Sequence, residues 1–173
     1  QIKDVNQTDL IFIPALFGDM TSAIAKNQNL IPWILNQYEK GAEIASLCVG
    51  AFLLASTGLL NGKKCSTHWG FQKELKEMFP EVEIVEGSIV TEENRIYSSG
   101  GANSYWNLLL YLVEKYTDRE TAILASKYFA IDIDRDSQSA FSMFKGQKTH
   151  KDLEIKKAQE YIETNFHDKM TID

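Results

Sequence analysis

The sequence predicts an α/β fold, a layered domain built around a mainly parallel sheet. Short continuous β-prone runs at 10–13 and 43–48 have the look of strands buried on both faces, and they alternate with segments of helical apolar spacing. Composition agrees: 173 residues that are 44% hydrophobic and 11% aromatic, with two cysteines, fit a single cored domain with room for a fragment of a second. They fit neither a disordered chain nor a disulfide scaffold. No apolar stretch is long enough to span a bilayer.

The elements follow in order. Leu10-Ile11-Phe12-Ile13 is a strand closed by Pro14, and residues 15–20 read as the loop at its carboxyl end. Residues 29–40 place Leu30, Ile31, Ile34, Leu35 and Tyr38 on one helical face, with Pro32 tolerated in the first turn and Gly41 as the stop. A second buried strand at 43–48 runs into a small-residue helix over 49–60 that ends near Gly58, followed by an Asn61-Gly62 turn. An amphipathic helix at 69–78 is closed by Phe79-Pro80. The period then changes to two, giving three short strands at 82–85, 88–91 and 95–98. Two strongly hydrophobic helices, 104–116 and 119–129, are joined at Asp118, a natural N-cap. Residues 131–150 are polar and break the pattern, as a linker arm does. Residues 151–166 form a separate amphipathic helix with Ile155, Ala158, Ile162 and Phe166 on one face.

The chain carries 18 basic against 24 acidic residues, a net charge of −6, which disfavours direct contact with a phosphate backbone. Gln1 stands in place of Met and no export leader precedes it, so a cytoplasmic piece of a longer protein is expected.

In such sheets ligands gather at the carboxyl ends of the strands. There, Ser46-Leu47-Cys48-Val49-Gly50 sets small residues two before and two after a cysteine at a strand-to-helix junction, the spacing a nucleophile elbow requires. A helix N-terminus would favour a thiolate, and the Val49 amide would supply half of an oxyanion hole. A small buried cysteine in tight packing explains the same residues without chemistry. His68, in Thr67-His68-Trp69, is a candidate base for Cys48, though a histidine beside a tryptophan is more often structural. Cys48, Cys65 and His68 lack a metal-site spacing, so no metal or cofactor is expected. Ser98-Ser99-Gly100-Gly101-Ala102 ends a strand and opens a helix, where bare amides bind carboxylate or phosphate; it has no P-loop ending.

These motifs resemble the ThiJ/PfpI sensor domain, of the class I glutamine amidotransferase-like type, at the front of AraC-type (GlxA-like) transcription regulators. The resemblance rests on residues 44–55, on Gly58-Leu59-Leu60-Asn61-Gly62, on Thr67-His68-Trp69 and on Ile96-Tyr97-Ser98-Ser99-Gly100-Gly101. Residues 134–141 are similar to the family's arm ahead of the DNA-binding domain, and 156–173 to the first helix of that domain. The resemblance implies a flavodoxin-like three-layer sandwich whose opening strand, helix and strand lie outside this chain. It implies a sensing domain at 1–130, a linker arm at 131–150 and a truncated helix-turn-helix domain from 151 to 173.

It further implies a dimeric transcription regulator whose DNA contacts come from a domain absent here, and a site without catalysis in which Cys48 and His68 are vestigial. A small effector, amino-acid-like or quaternary-ammonium, would lie among Leu16, Phe17, Cys48, Val49, His68, Trp69, Ser99 and Gly100. Ala15-Leu16-Phe17 replaces the Gly-rich oxyanion turn of amidotransferase relatives, and Val49 stands where hydrolases of the family have histidine. The alternatives are a cysteine-dependent amidase, deglycase or protease-like enzyme using Cys48 and His68, and a pure dimerisation module built on helices 104–129. The acidic balance then excludes direct DNA contact by residues 1 to about 150, but not a DNA-binding protein.

Overall fold

The computed structural model describes residues 2–141 and 152–165. Strands β1 (Leu10–Ile13), β2 (Glu43–Leu47) and β6 (Ile96–Ser99) run parallel in that spatial order, and β5 (Val90–Glu93) closes the sheet antiparallel to β6. A separate parallel pair joins β3 (Lys64–Cys65) to β4 (Glu83–Ile84). In the main sheet Ile11 lies opposite Ile44, and Ile44 opposite Ile96. Successive strand residues face opposite sides, so Ile11, Ile13, Ile44 and Ile96 enter one core while Ala45 and Tyr97 enter the other.

The first core receives α1 (Met20–Asn27), α2 (Ile31–Glu39), α3 (Ala51–Ser56) and α4 (Gln72–Met78) through Met20, Ile34, Phe52, Leu54 and Leu75. The second receives α5 (Tyr105–Tyr116) through Leu108 and Leu112, and α6 (Arg119–Phe129) packs on α5. Helices on both faces of a mostly parallel sheet are the layered architecture the alternating pattern predicts. Full burial of side chains such as Phe52 and Leu54 contributes roughly 1.5–3 kcal/mol each.

Several expectations shift. The stretch 21–28, to which the sequence assigned no element, holds α1, begun by Asp19, whose carboxylate accepts from the Ser22 amide at 2.8 Å. The helix expected over 49–60 is a single 3₁₀ turn, Cys48–Gly50, followed by the six residues of α3. The strand expected at 82–85 belongs to the small sheet, not the main one. The other two of that trio form the β5–β6 hairpin, turned by Asn94 and Arg95 with φ of 50° and 62°, the left-handed pair a tight hairpin needs.

Residues up to Ser142 form one compact unit, and those from Met143 a second. In the second, α7 (Leu153–Thr164) is capped by Asp152, whose carboxylate accepts from the Glu154 and Ile155 amides. Phe166, expected on its apolar face, lies outside the described residues.

Gly50 fixes how the sheet meets the 3₁₀ turn. A Cβ there would lie 2.5 Å from the Ile13 carbonyl oxygen and 2.6 Å from that of Pro14, so the turn packs against the end of β1 with no space for a side chain. Gly50→Ala is expected to destabilise by about 1–3 kcal/mol or more, read as a lower urea midpoint; an unchanged midpoint would contradict this close packing.

Candidate functional site

The carboxyl end of β2 turns sharply. Leu47 is extended, and Cys48 then adopts φ 55°, a left-handed conformation that costs a non-glycine residue of order 1 kcal/mol or more. Ser46 is fully buried and Gly50 admits no side chain, so the elbow spacing read from the sequence has its steric cause in the structure. The turn is held from both sides: the Cys48 amide donates to Ser99 Oγ at 3.4 Å, and its carbonyl accepts from Thr67 Oγ1 at 3.0 Å. Burial pushes the half-buried Cys48 thiol up from its ordinary pKa, and a hydrogen bond with the Val49 amide opposes that shift in part. The thiol therefore favours its protonated form at neutral pH.

The loop after β3 is stapled to the hairpin by hydroxyls. The Ser66 amide donates to Ser98 Oγ at 2.7 Å and to Thr91 Oγ1 at 3.2 Å, and Ser66 Oγ donates to the Ser88 carbonyl at 2.5 Å. These bonds deliver His68 and Trp69. His68 caps the short turn Trp69–Phe71, its Nδ1 accepting from the Gly70 amide at 3.1 Å. Burial lowers the pKa of His68, and protonating Nδ1 would also break the cap. With Nδ1 committed as acceptor, the neutral ring carries its proton on Nε2 and is a donor there. Taking a proton from Cys48 at Nδ1 would cost the ring that cap, and no hydrogen bond joins the two among the described residues.

The first part of the expected linker arm packs along the domain. Ala130 ends α6 in a left-handed conformation, and the chain then passes through a turn at 133–134 with residues 132, 134 and 136 tied down. The Asp132 carbonyl accepts from Asn107 Nδ2 at 2.6 Å, Asp134 pairs with Arg119 at 2.7 Å, and the Asp136 carbonyl accepts from the Ile89 amide at 3.0 Å. Gln138 comes next and is 1% exposed. Its Nε2 donates to the Ser88 carbonyl at 2.7 Å and the Thr67 carbonyl at 3.1 Å, its Oε1 accepts from the Gly101 amide at 2.8 Å, and its own amide donates to the Gly87 carbonyl at 2.7 Å. A Cβ on Gly100 would lie 2.1 Å from Gln138 Nε2. Gly100 therefore leaves the space that this glutamine fills.

This wedge divides the residues expected to form one pocket. Leu16 is half-buried against the first core, Phe17 is 90% exposed, and Val49 is buried in that core. Ser99 is buried and holds the elbow amide. The Gly100 amide donates to the Ile89 carbonyl at 2.8 Å, so the turn at 100–101 offers no bare amide: both are taken. His68 and Trp69 instead line a cavity of about 180 Å³ with residues 101–104, Arg135 and Gln138. Arg135 and Gln138 escaped sequence reasoning because their neighbours Asp134 and Asp136 gave the segment the polarity of a linker. Among the described residues no cluster of His, Cys, Asp and Glu could hold a metal ion, and no helix is long and apolar enough to cross a membrane.

The chain matches the DJ-1/PfpI family over residues 1–115. It is 30% identical over 108 residues to the HTH-type transcriptional regulator GbdR of Pseudomonas aeruginosa, covering 62% of this chain and 29% of that protein. It is 24% identical over 122 residues to the isonitrile hydratase of Pseudomonas putida, covering 70% of this chain and 51% of that one. A crystal structure from Vibrio parahaemolyticus, described as a candidate transcriptional regulator, superposes with a TM-score of 0.66 at 27% identity over 73% of this chain and 66% of its own. The chain thus spans less than a third of GbdR.

Because burial favours the neutral thiol, alkylation of Cys48 by iodoacetamide should be slow at pH 7 and rise with pH to a midpoint above that of a free thiol. Cys65, buried and pushed up to about 11, should stay unlabelled in the native protein. Fast labelling of Cys48 at pH 7, with a midpoint below that of a free thiol, would contradict the electrostatics described.

Proposed function

The chain belongs to the DJ-1/PfpI family, and from that premise we propose that it is the small-molecule-sensing domain of an AraC-type transcription regulator, acting in the cytoplasm as a homodimer and without catalysis of its own. The observation that carries this is the buried Gln138 wedge. A segment that leads out of the first compact unit is built into the wall of that unit's ligand-sized cavity, so an occupant of the cavity touches the connection itself. An effector that prefers one seating of the arm would shift the populations of the segment beyond it, which is what a sensor requires. The similarity to GbdR, named an HTH-type transcriptional regulator, supports the same assignment. DNA contacts would come from the helix-turn-helix domain that begins near 151. The effector would be amino-acid-like or a quaternary ammonium compound, with Trp69 offering a ring face to its cation.

The enzyme alternative, a hydrolase or amidase working through Cys48 and His68, draws on the strained elbow and the Val49 amide against the thiol, and on the similarity to isonitrile hydratase. Against it stand the raised thiol pKa and the His68 ring, which presents a donor rather than a base.

A thermal-shift screen with amino acids, betaines and their precursors separates the two. A compound at about 100 times its Kd should add roughly 2.7 kcal/mol of stability, and the Cys48→Ala variant should respond equally. Turnover of any panel compound that is abolished by Cys48→Ala, with no stabilising ligand found, would contradict the sensor assignment.

A further inference from the structure

We propose that the cavity between Trp69 and the turn at 86–87 is a subsite for an organic ammonium cation, seated on the Trp69 ring and the Glu86 carboxylate, with an oxygen of the same ligand on Gln72 Nε2. This deepens the sensor reading and rests on it only for calling the occupant an effector. Trp69 and Gln138 together line two cavities. One, of about 180 Å³, continues along 101–104; the other, of about 420 Å³, is completed by Gln72, Glu86, Gly87 and Ser139. An occupant of the second lies against the same wedge and against the loop between β4 and β5. Gly87 turns that loop with φ 74°, and its carbonyl accepts from the Gln138 amide at 2.7 Å, which fixes Glu86 beside the wedge.

The sign of the ligand follows from this lining. Glu86 is its one formal charge, and the Glu86 carboxylate, exposed at the rim, makes no hydrogen bond or ion pair among the described residues. No lysine, arginine or histidine lines the cavity to neutralise it. Half-buried Trp69 adds an aromatic face, and a carboxylate beside an indole attracts a cation from two directions. The neighbouring cavity of about 230 Å³ differs: it holds acidic Glu114 and Asp136 together with Arg119, which pairs with Glu114 at 2.8 Å, so it selects no sign.

The lining also decides between kinds of cation. Calcium takes about six to eight oxygens and magnesium an octahedral shell, and a single carboxylate supplies neither. An alkylated ammonium asks only for a counter-charge and a ring face. Its companion group is set by Gln72, whose Nε2 is shut from solvent and has no hydrogen-bond partner among the described residues. The terminal torsion of a glutamine is soft, so this donor turns to an acceptor oxygen at the cavity wall without moving the helix. A space of about 420 Å³ equals roughly fourteen waters at about 30 Å³ each, enough for a small ligand carrying both groups.

The test sets choline against its neutral isostere 3,3-dimethylbutan-1-ol at constant ionic strength, followed on the whole chain by NMR at the Gln72 side-chain amide, the Trp69 indole N–H and the Gly87 amide. Choline should bind about fivefold or more tightly than the alcohol, which copies its shape and hydroxyl without the charge. Glu86→Gln should weaken choline about two- to fivefold and leave the alcohol as it was. Gln72→Leu should weaken both probes about two- to tenfold, since they share the hydroxyl, while leaving the melting temperature of the free protein unchanged or raised, because the amide nitrogen makes no bond to lose. A glutamine kept for structure alone would not move affinity and stability in opposite directions. Equal affinity for the two probes, no shift at Gln72 and Trp69 from choline, or choline binding indifferent to both substitutions overturns the site. If a compound of the thermal-shift panel still stabilises the protein in that case, the sensor reading stands without this subsite; silence from the whole panel counts against the reading itself.

Discussion

A primary amide buried in the middle of a protein has four hydrogen-bonding positions, and Gln138 fills three of them, both donors and one acceptor, by bridging three backbone segments. The carbonyls of Thr67 and Ser88 and the amide of Gly101 all turn toward it. Losing the side chain would leave the Thr67 carbonyl and the Gly101 amide without this partner, at about 1–3 kcal/mol each, while the Ser88 carbonyl keeps Ser66 Oγ. The rest of the site follows from this seating. Gly100 has no side chain because the glutamine lies where one would be, His68 and Trp69 are held at the rim by the loop whose Thr67 carbonyl accepts from its Nε2, and the arm is fixed along the 87–89 segment by its neighbours. A polar clasp of this kind rigidifies only while it is fully satisfied. Gln138 also lines the adjoining cavity, so an occupant there would lie against the clasp.

The elbow tells a complementary story. Its strain, its small flanking residues and the Val49 amide against the sulfur are geometry that a nucleophile needs, retained at a cysteine whose surroundings favour the protonated thiol. Geometry of this sort has a second use. The left-handed turn at Cys48 and the bare Gly50 let the 3₁₀ turn pack onto the end of β1, and the Cys48 carbonyl anchors Thr67, the residue before His68. Through Thr67 this backbone also steadies the loop that carries His68 and Trp69 to the cavity.

Much of this was legible in the sequence. The strands β1 and β2, the helices α2, α5 and α6, and the Asp118 cap followed from apolar period and cap residues, because those elements bury one clear face or both. The spacing of Ser46, Cys48 and Gly50 disclosed the elbow, since sterics there act between near neighbours in the chain. What stayed hidden depended on distant partners. α1 is short and weakly apolar, β4 leaves the main sheet for a pairing with β3 that no local pattern marks, and Gln138 is a polar residue in a polar run whose burial comes entirely from partners 37 to 71 residues away. The two glycines that receive it were visible, and were read as open amides because nothing nearby in sequence fills them.

The central claim is that the arm belongs to the site. Hydrogen exchange at the Gly101 amide, which donates to Gln138, and along residues 131–141 measures it most directly, with and without a stabilising compound. If an occupant of the cavity acts on the clasp, protection at Gly101 and along the arm changes together on binding. Binding that alters protection around the elbow or elsewhere and leaves Gly101 and residues 131–141 as they were would contradict it.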